Sequence, residues 1–352
     1  MPNHVTEQSD PDSAAVRGRR RSHTGRLGLT GGVTLIVMFI LCVGTLPYTL
    51  GRDANGRHRY EAADEHFALR APSWVPASKE SRRREDALRT YLAKVEGVDE
   101  HAVKLPTTIL GTDKLGRSFL TRCLAGGGIS LSIGLAAAFI SVVIGTLYGS
   151  IAAHFGGRTD AIMMRIVDVL YGLPYILLVV LLAVAMDSVV EDRYPDLNST
   201  TRQVINVMTL LAAIGGVSWL TMARVIRGQV LSLKEEPFME AARAIGVPIH
   251  RQFLRHLLPN LLAPIIVYAT LTVPQAILQE SFLSFLGIGV KPPLPSWGNL
   301  ASKGLTELNL VESRWWLLFF PCLALAVTLL SLNFIGEWLR ERFDPKRVGR
   351  SA

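Results

Sequence analysis

"EAARAIGVPIHRQFLRHLLPN", from Glu240 to Asn260, lies between two long apolar runs, about 204–226 and 261–289. The stretch is polar, basic and helix-forming, and it is interrupted once, at Gly246 and Pro248. "PFME" before Ala241 is a helix start, with Pro237 suited to the first turn. Gly246 can take a positive φ and end that helix, and Pro248 can open a second one that runs through Arg255 into the next apolar run. The expectation is two short helices at an angle, tied at both ends to membrane-crossing segments. Read from spacing alone, the stretch is equally well an amphipathic loop packed on its own bundle.

Working outward, the flanking runs belong to a series. Apolar residues are gathered in blocks of roughly 20 or more with few charges, the length needed to cross ~30 Å of hydrocarbon at ~1.5 Å per residue. Soluble core helices are usually shorter and one-sided. The chain therefore reads as an all-α polytopic membrane protein. Its net charge of +8 does not indicate nucleic acid, because the basic residues cluster beside the apolar blocks, as topology signals do.

The blocks count to six transmembrane helices. The first, 27–50, follows a 1–26 tail ending in "RGRRRSHTGR". A signal peptide is the rival reading, but the run is long and no small-residue cleavage site follows it. Arg17, Arg19, Arg20, Arg21 and Arg26 would hold its start in the cytoplasm. Residues 51–125 form an extracytoplasmic insert and loop. Within 51–122, fourteen basic residues are largely offset by eleven acidic ones, and loops beyond ~60 residues translocate largely regardless of charge. "ESRRREDALRTYLAKVEGVDE" there has helical periodicity and reads as a solvated face.

Residues 126–336 hold the other five helices. The second, about Ile129 to Ala153, carries "GTLYG" from Gly145 to Gly149, a spacing that lets helices approach closely. The third, roughly Ala161 to Met186, contains "MRIVDVLYGLP". Arg165 and Asp168 are three apart and are expected to pair on one face, and Pro174 is expected to kink the span. The fourth ends in basic residues Arg224, Arg227 and Lys234, and the loop 234–260 follows. The fifth, about Leu261 to Gly289, contains Glu280, a candidate for lining a pathway or capping an outer gate, with a structural hydrogen bond to a neighbouring helix as the rival role. "KPPLPSWGN" (291–299) reads as an outer loop with Trp297 suited to the membrane interface. The sixth, about Trp315 to Gly336, leads to a basic 337–352 tail. Both termini and loop 234–260 fall on the cytoplasmic side of the membrane.

Chemistry is scarce. The sequence has no G-x-x-x-x-G-K-[ST], no H-E-x-x-H and no nucleophile elbow. Its eight histidines are dispersed, and Cys42, Cys123 and Cys322 have no ligand spacing. No cofactor, metal or catalytic residue is expected in this chain.

The opening stretch resembles the EAA signature of permease subunits of ABC importers. The match is Glu240, Ala241 and Ala242, then Gly246, then Leu258 and Pro259. Where the family often has isoleucine stands His256, and "HLLPN" is similar to the dipeptide/oligopeptide/nickel branch. "LGTDKLGRSFLTR" (110–122), "ARVIRGQVLSL" (223–233), "ESFLSFLGIGVKPPLPSWGN" (280–299) and "LNFIGEWLRERFDP" (332–345) fit that branch too. The likeness covers nearly everything from 110 to 347 and the first span. Departures are the N-terminal tail, the 51–108 insert, and "TIL" where the family often has His-Pro before G-T-D.

The resemblance implies a type I ABC importer permease bundle that forms half of a pathway. It implies two separate ATP-binding subunits carrying ATP and Mg, a second permease subunit, and an extracytoplasmic substrate-binding protein, with membrane lipid around the whole. Glu240, Ala241, Ala242, Gly246, His256 and Pro259 would make the ATPase coupling contact. Gly111, Thr112, Asp113, Gly116, Arg117 and Trp297 would face the binding protein. Peptides are the expected substrate, with nickel or another small solute as the alternative. A secondary transporter would need internal repeats and mid-depth acidic residues, which the sequence does not display.

Overall fold

The computed structural model describes residues 11–76, 79–97, 99, 103, 105–308 and 313–343. The expectations for the extreme tails, 1–10 and 344–352, lie outside these, as do those for the side chains of Arg17, Arg19, Arg20 and Arg21. The described residues are helical throughout, joined by loops and without a named strand.

In chain order the helices are α1 (Pro11–Cys42), α2 (Leu46–Thr49), α3 (Lys79–Glu96), α4 (Phe119–Phe155), α5 (Gly157–Tyr171), α6 (Tyr175–Arg193), α7 (Ser199–Lys234), α8 (Pro237–Ala244), α9 (Ile249–Gln252), α10 (Leu258–Phe285), α11 (Trp297–Leu305) and α12 (Trp316–Phe343). A π-helical turn, Phe253–Leu257, joins α9 to α10. Its carbonyl at Phe253 accepts from the Leu258 N–H. Pro259, the next residue, has no N–H to continue the ordinary ladder, and such turns absorb the mismatch.

Five helices, one of them the continuous Ile249–Phe285, are long and apolar enough to cross a membrane. The pair α5 and α6 supplies a sixth crossing if it is one span. The expected kink at Pro174 is in fact a break of 89°. Proline withholds an N–H and forces the residue before it out of the helical region, so Gly172–Leu173–Pro174 ends one helix before the next begins.

α4 is the centre of the bundle, packed between α7 and α10. Small residues make that possible. A Cβ on Gly145 would stand 2.5 Å from the Met222 Cβ, and one on Gly149 only 2.3 Å from the Ala223 carbonyl oxygen. On the α10 side, a Cβ on Gly134 would stand 2.2 Å from Ile277. Ile133, Ala137, Ala183, Leu210, Ile214, Val217, Ala276 and Leu283 fill the core between these helices. α1 lies against α12 at the periphery and turns Leu29, Val33, Ile36 and Ile40 outward as one apolar stripe. That spacing is one helical face, and an apolar outside suits hydrocarbon.

Candidate functional site

Two polar regions sit at opposite ends of the bundle. At the basic end, α8 and α9 form the helix–hinge–helix expected from the sequence. Met239 and Ala242 are buried against the bundle, with Met222, Ile226, Val230, Leu257 and Leu261 around them. Glu240 and Ala241 face outward, and so do Ile245 and Ile249. Gly246 has φ +75°, and nothing lies within 4 Å of a Cβ placed there. The hinge is closed by hydrogen bonds from the Val247 N–H to the Ala242 carbonyl and from the Gly246 N–H to the Arg243 carbonyl, both 3.0 Å. This is the helix ending that left-handed glycine favours. Gln252, buried, donates to the Val247 carbonyl at 2.6 Å and braces the hinge from beyond.

The loop is anchored to its neighbours. Lys234 donates to the carbonyls of Ala153 and His154 at 2.8 and 3.1 Å, capping the end of α4 with a cation. Arg243 donates to the Lys234 carbonyl. The His256 ring lies 6.4 Å from that of Phe238, across the gap between α8 and the π turn. Pro259 is exposed at the start of α10.

Nearby, Asp168 departs from expectation. Its partner is Arg224 of α7, at 2.8 Å, and not Arg165. Asp160 pairs with Arg227 through two bonds of 2.6 Å. The α5 carboxylates thus meet α7 arginines, while Arg165 is exposed.

At the opposite end, residues 111–117 form a knot. Asp113 Oδ1 accepts from the N–H groups of Leu115 and Arg117 at 3.0 Å. Its Oδ2 takes the Arg117 guanidinium at 2.7 Å through two nitrogens. Arg122, only 1% exposed, reaches the same oxygen at 3.4 Å and donates to the Tyr60 carbonyl at 3.2 Å. Gly116 has φ +69°, and a Cβ there would strike the Asp64 carbonyl. Gly111 (φ +80°) carries the chain past Trp316. Thr112 is buried; its N–H donates to the Arg70 carbonyl at 3.0 Å and its hydroxyl to the Phe67 carbonyl at 2.5 Å. The insert is thus clasped onto the knot.

Glu307 completes this end, held by Lys114 and Arg314 at 2.6 Å each. Burial alone would raise its carboxyl, but those two cations outweigh burial and hold it below the ordinary range. Lys303, beside a recess of about 370 Å³, is pushed below its ordinary value by burial and by the Arg122 and Arg117 charges. Arg122 and Glu307 were not singled out from sequence. Glu307 lies far along the chain from Lys114, and no local pattern announces the pairing.

Trp297 also departs from expectation. It is buried, 1% exposed, as the first residue of α11, and its indole N–H donates to the Cys123 carbonyl at 3.1 Å. Ser296 and Asn299 form a reciprocal cap there, so the expected loop runs only to Ser296 and its last three residues open a helix packed on the bundle.

Comparison with known proteins places this geometry. Residues 128–349 match the family described as binding-protein-dependent transport system inner membrane component. The chain belongs to this permease family. It is 44% identical over 236 residues to the oligopeptide transport system permease protein of Haemophilus influenzae, covering 67% of this chain and 70% of that one. It is equally similar, 44% over 236 residues, to the dipeptide transport system permease protein of Bacillus subtilis, with 67% and 68% covered. The Escherichia coli oligopeptide permease protein is 46% identical over 236 residues, with 67% and 72% covered. A multi-pass inner-membrane transport component is therefore established.

Within the permease, Glu280 is enclosed, at 0% exposure. Ser284 donates to one carboxylate oxygen at 2.7 Å and Ser281 to the other at 3.2 Å. Both serines belong to α10, so the carboxylate is enclosed and bonded within its own helix. The exposed polar groups of the span lie elsewhere. Tyr175, Gln275 and Gln279 border a groove of about 340 Å³ between α6 and α10. The Tyr175 hydroxyl lies 2.6 Å from the Ser218 hydroxyl and donates to Gln279 Oε1 at 2.7 Å. Sequence reasoning missed this cluster, because three helices contribute to it.

Proposed function

We propose that this chain is the permease subunit of a peptide ABC importer, forming half of the translocation pathway. It couples that pathway to separate ATPase subunits that carry ATP and Mg. The chain itself is non-catalytic and holds no cofactor. A second permease subunit supplies the other half, and an extracytoplasmic substrate-binding protein delivers the peptide. Both termini and loop 234–260 are cytoplasmic, and residues 51–125 form the extracytoplasmic insert and loop. Residues 126–336 are the permease core between an N-terminal tail, first helix and insert on one side and a 337–352 tail on the other.

One observation carries the coupling role: α8 buries Met239 and Ala242 while presenting Glu240, Ala241 and Ile245 outward. A short helix fixed to spans at both ends through a hinge is a lever, and bundles switch between discrete packed states as rigid bodies. Glu240, Ala241, Ala242, Gly246, His256 and Pro259 form that lever and its root. Gly111, Thr112, Asp113, Gly116 and Arg117 shape the face that meets the binding protein, with Trp297 anchoring it from inside. The peptide substrate is supported by the names of the oligopeptide and dipeptide relatives.

The test is reconstitution. Peptide uptake is expected only when ATPase subunits, a companion permease and the binding protein are present. Uptake by the purified chain alone, driven by an ion gradient, would refute the proposal. A label at residue 250 that reacts from the exterior would refute the topology.

A further inference from the structure

Amide side chains facing outward from a membrane span are costly unless something polar covers them. α10 places Gln275, Leu278, Gln279 and Phe282 on one face, and with Tyr175, Ile176 and Val179 they wall the groove of about 340 Å³. Gln275 and Leu278 are exposed, as are Phe282 and Ile176. The groove is deep. Twelve residues of α6 separate Tyr175 from Asp187, whose carboxylate pairs with Lys291 at 2.9 Å. At 1.5 Å per residue that places Tyr175 about 18 Å inside that polar pair, within the hydrocarbon layer.

The polar groups are oriented. Ser218 donates to the Ile214 carbonyl at 2.7 Å, Tyr175 meets Ser218, and Tyr175 holds one end of the Gln279 amide. The other end of that amide is left for the groove. The side-chain amide of Gln275, one turn away on α10, has no hydrogen-bond partner among the described residues. A glutamine amide carries one carbonyl acceptor and an N–H donor group, the same pair that a peptide unit presents.

We propose that this groove holds the main chain of the translocating peptide. Gln275 and Gln279 pair with its N–H and C=O groups, and Tyr175 is the positioning residue for Gln279. This rests on the peptide reading above and adds how the subunit touches its cargo. Main-chain pairing is indifferent to side-chain identity. The remaining walls, Ile176, Val179, Leu278 and Phe282, are apolar and make no directional demand. A companion-permease helix packed directly onto the face is the rival occupant, and it would leave two amides to be matched one by one in a dry interface.

The test uses the assembled transporter in vesicles with its ATPases, companion permease and binding protein. Gln275→Leu and Gln279→Leu are each expected to raise the uptake KM about tenfold. The factor should be the same for tri-alanine and for tripeptides carrying central Lys, Glu or Phe. Gln275→Asn should recover part of the loss. An unchanged KM, or a factor that varies with the side chain, would overturn the proposal. In a Cys322→Ser background, where Cys42 and Cys123 are buried, Gln275→Cys should react with a charged thiol reagent, and saturating tri-alanine should slow that reaction. No reaction would assign the face to the companion subunit, and reaction indifferent to peptide would show an open groove that peptide does not occupy; either result overturns the proposal. Wild-type vesicles that import no peptide would sink the peptide reading itself. Wild-type uptake with insensitive variants would sink only this inference.

Discussion

The knot at residues 111–117 and the loop at 234–260 are both short, charged, glycine-containing segments beside long apolar helices, yet they use their residues in opposite ways. In the knot, Asp113 is almost wholly satisfied from within: two backbone N–H groups and two guanidiniums converge on it, one of them fully buried. In the loop, Glu240 is exposed, and its burial is delegated to Met239 and Ala242. Charges turned inward set a shape, and the outward-facing Glu240 is the one the coupling proposal assigns to a partner. Stability should therefore depend on the knot and transport on the loop.

The sharpest way to break that contrast is Asp113→Asn. It leaves Arg122 buried without its carboxylate, and removing one partner of a buried pair costs about 3–5 kcal/mol. The melting temperature and yield of the purified complex should fall markedly. Gly298→Ala follows. Its Cβ would stand 2.0 Å from the Ser281 carbonyl oxygen, a clash with backbone worth about 3 kcal/mol, and the same thermal measurement reads it. Gly246→Ala meets no atom, but the positive φ costs a non-glycine residue about 1–2 kcal/mol. Here uptake should drop further than the melting temperature does.

A smaller effect is an acid response confined to the knot end. Glu307 is held below its ordinary value of 4.5 by Lys114 and Arg314. It therefore binds protons less readily folded than unfolded. Its contribution is present above 4.5 and is lost as pH falls through the lower folded value. Hydrogen exchange in 297–308 should rise over that acid window, and Glu307→Gln should abolish the pH dependence. Smallest in stability is Glu240→Lys, expected within about 0.5 kcal/mol as an exposed substitution. It should nevertheless abolish uptake while the ATPase subunits continue to hydrolyse ATP. If it destabilised the protein as much as Asp113→Asn, the contrast between the two ends would fail.

Much of the loop was legible because its signals are local. Pro237, Gly246 and Pro248 each restrict their own backbone, so a helix, a left-handed turn and a second helix can be read in order. The close-packing role of Gly145 and Gly149 was legible for the same reason, since their spacing is one helical turn. The knot was only half legible. Gly111, Asp113, Gly116 and Arg117 stand together in the sequence, but Arg122, Tyr60 and Glu307 join them through the fold. Arg165 and Asp168 show the limit of spacing: three residues apart makes a pair available, and a stronger partner on another helix takes it.

By itself the sequence determined the apolar spans and the hinged loop between the fourth and fifth of them. These follow from length, periodicity and the backbone restrictions of single residues. Only the tertiary structure decided that the third span breaks at 89° where a kink was expected, that Trp297 is buried as an anchor, that Glu280 is enclosed, and that Tyr175, Ser218 and Gln279 meet. Each of these depends on which helix lies against which. Hydrogen bonds and ion pairs act over a few ångströms in space, so residues distant in the chain become partners only once packing has brought their helices together.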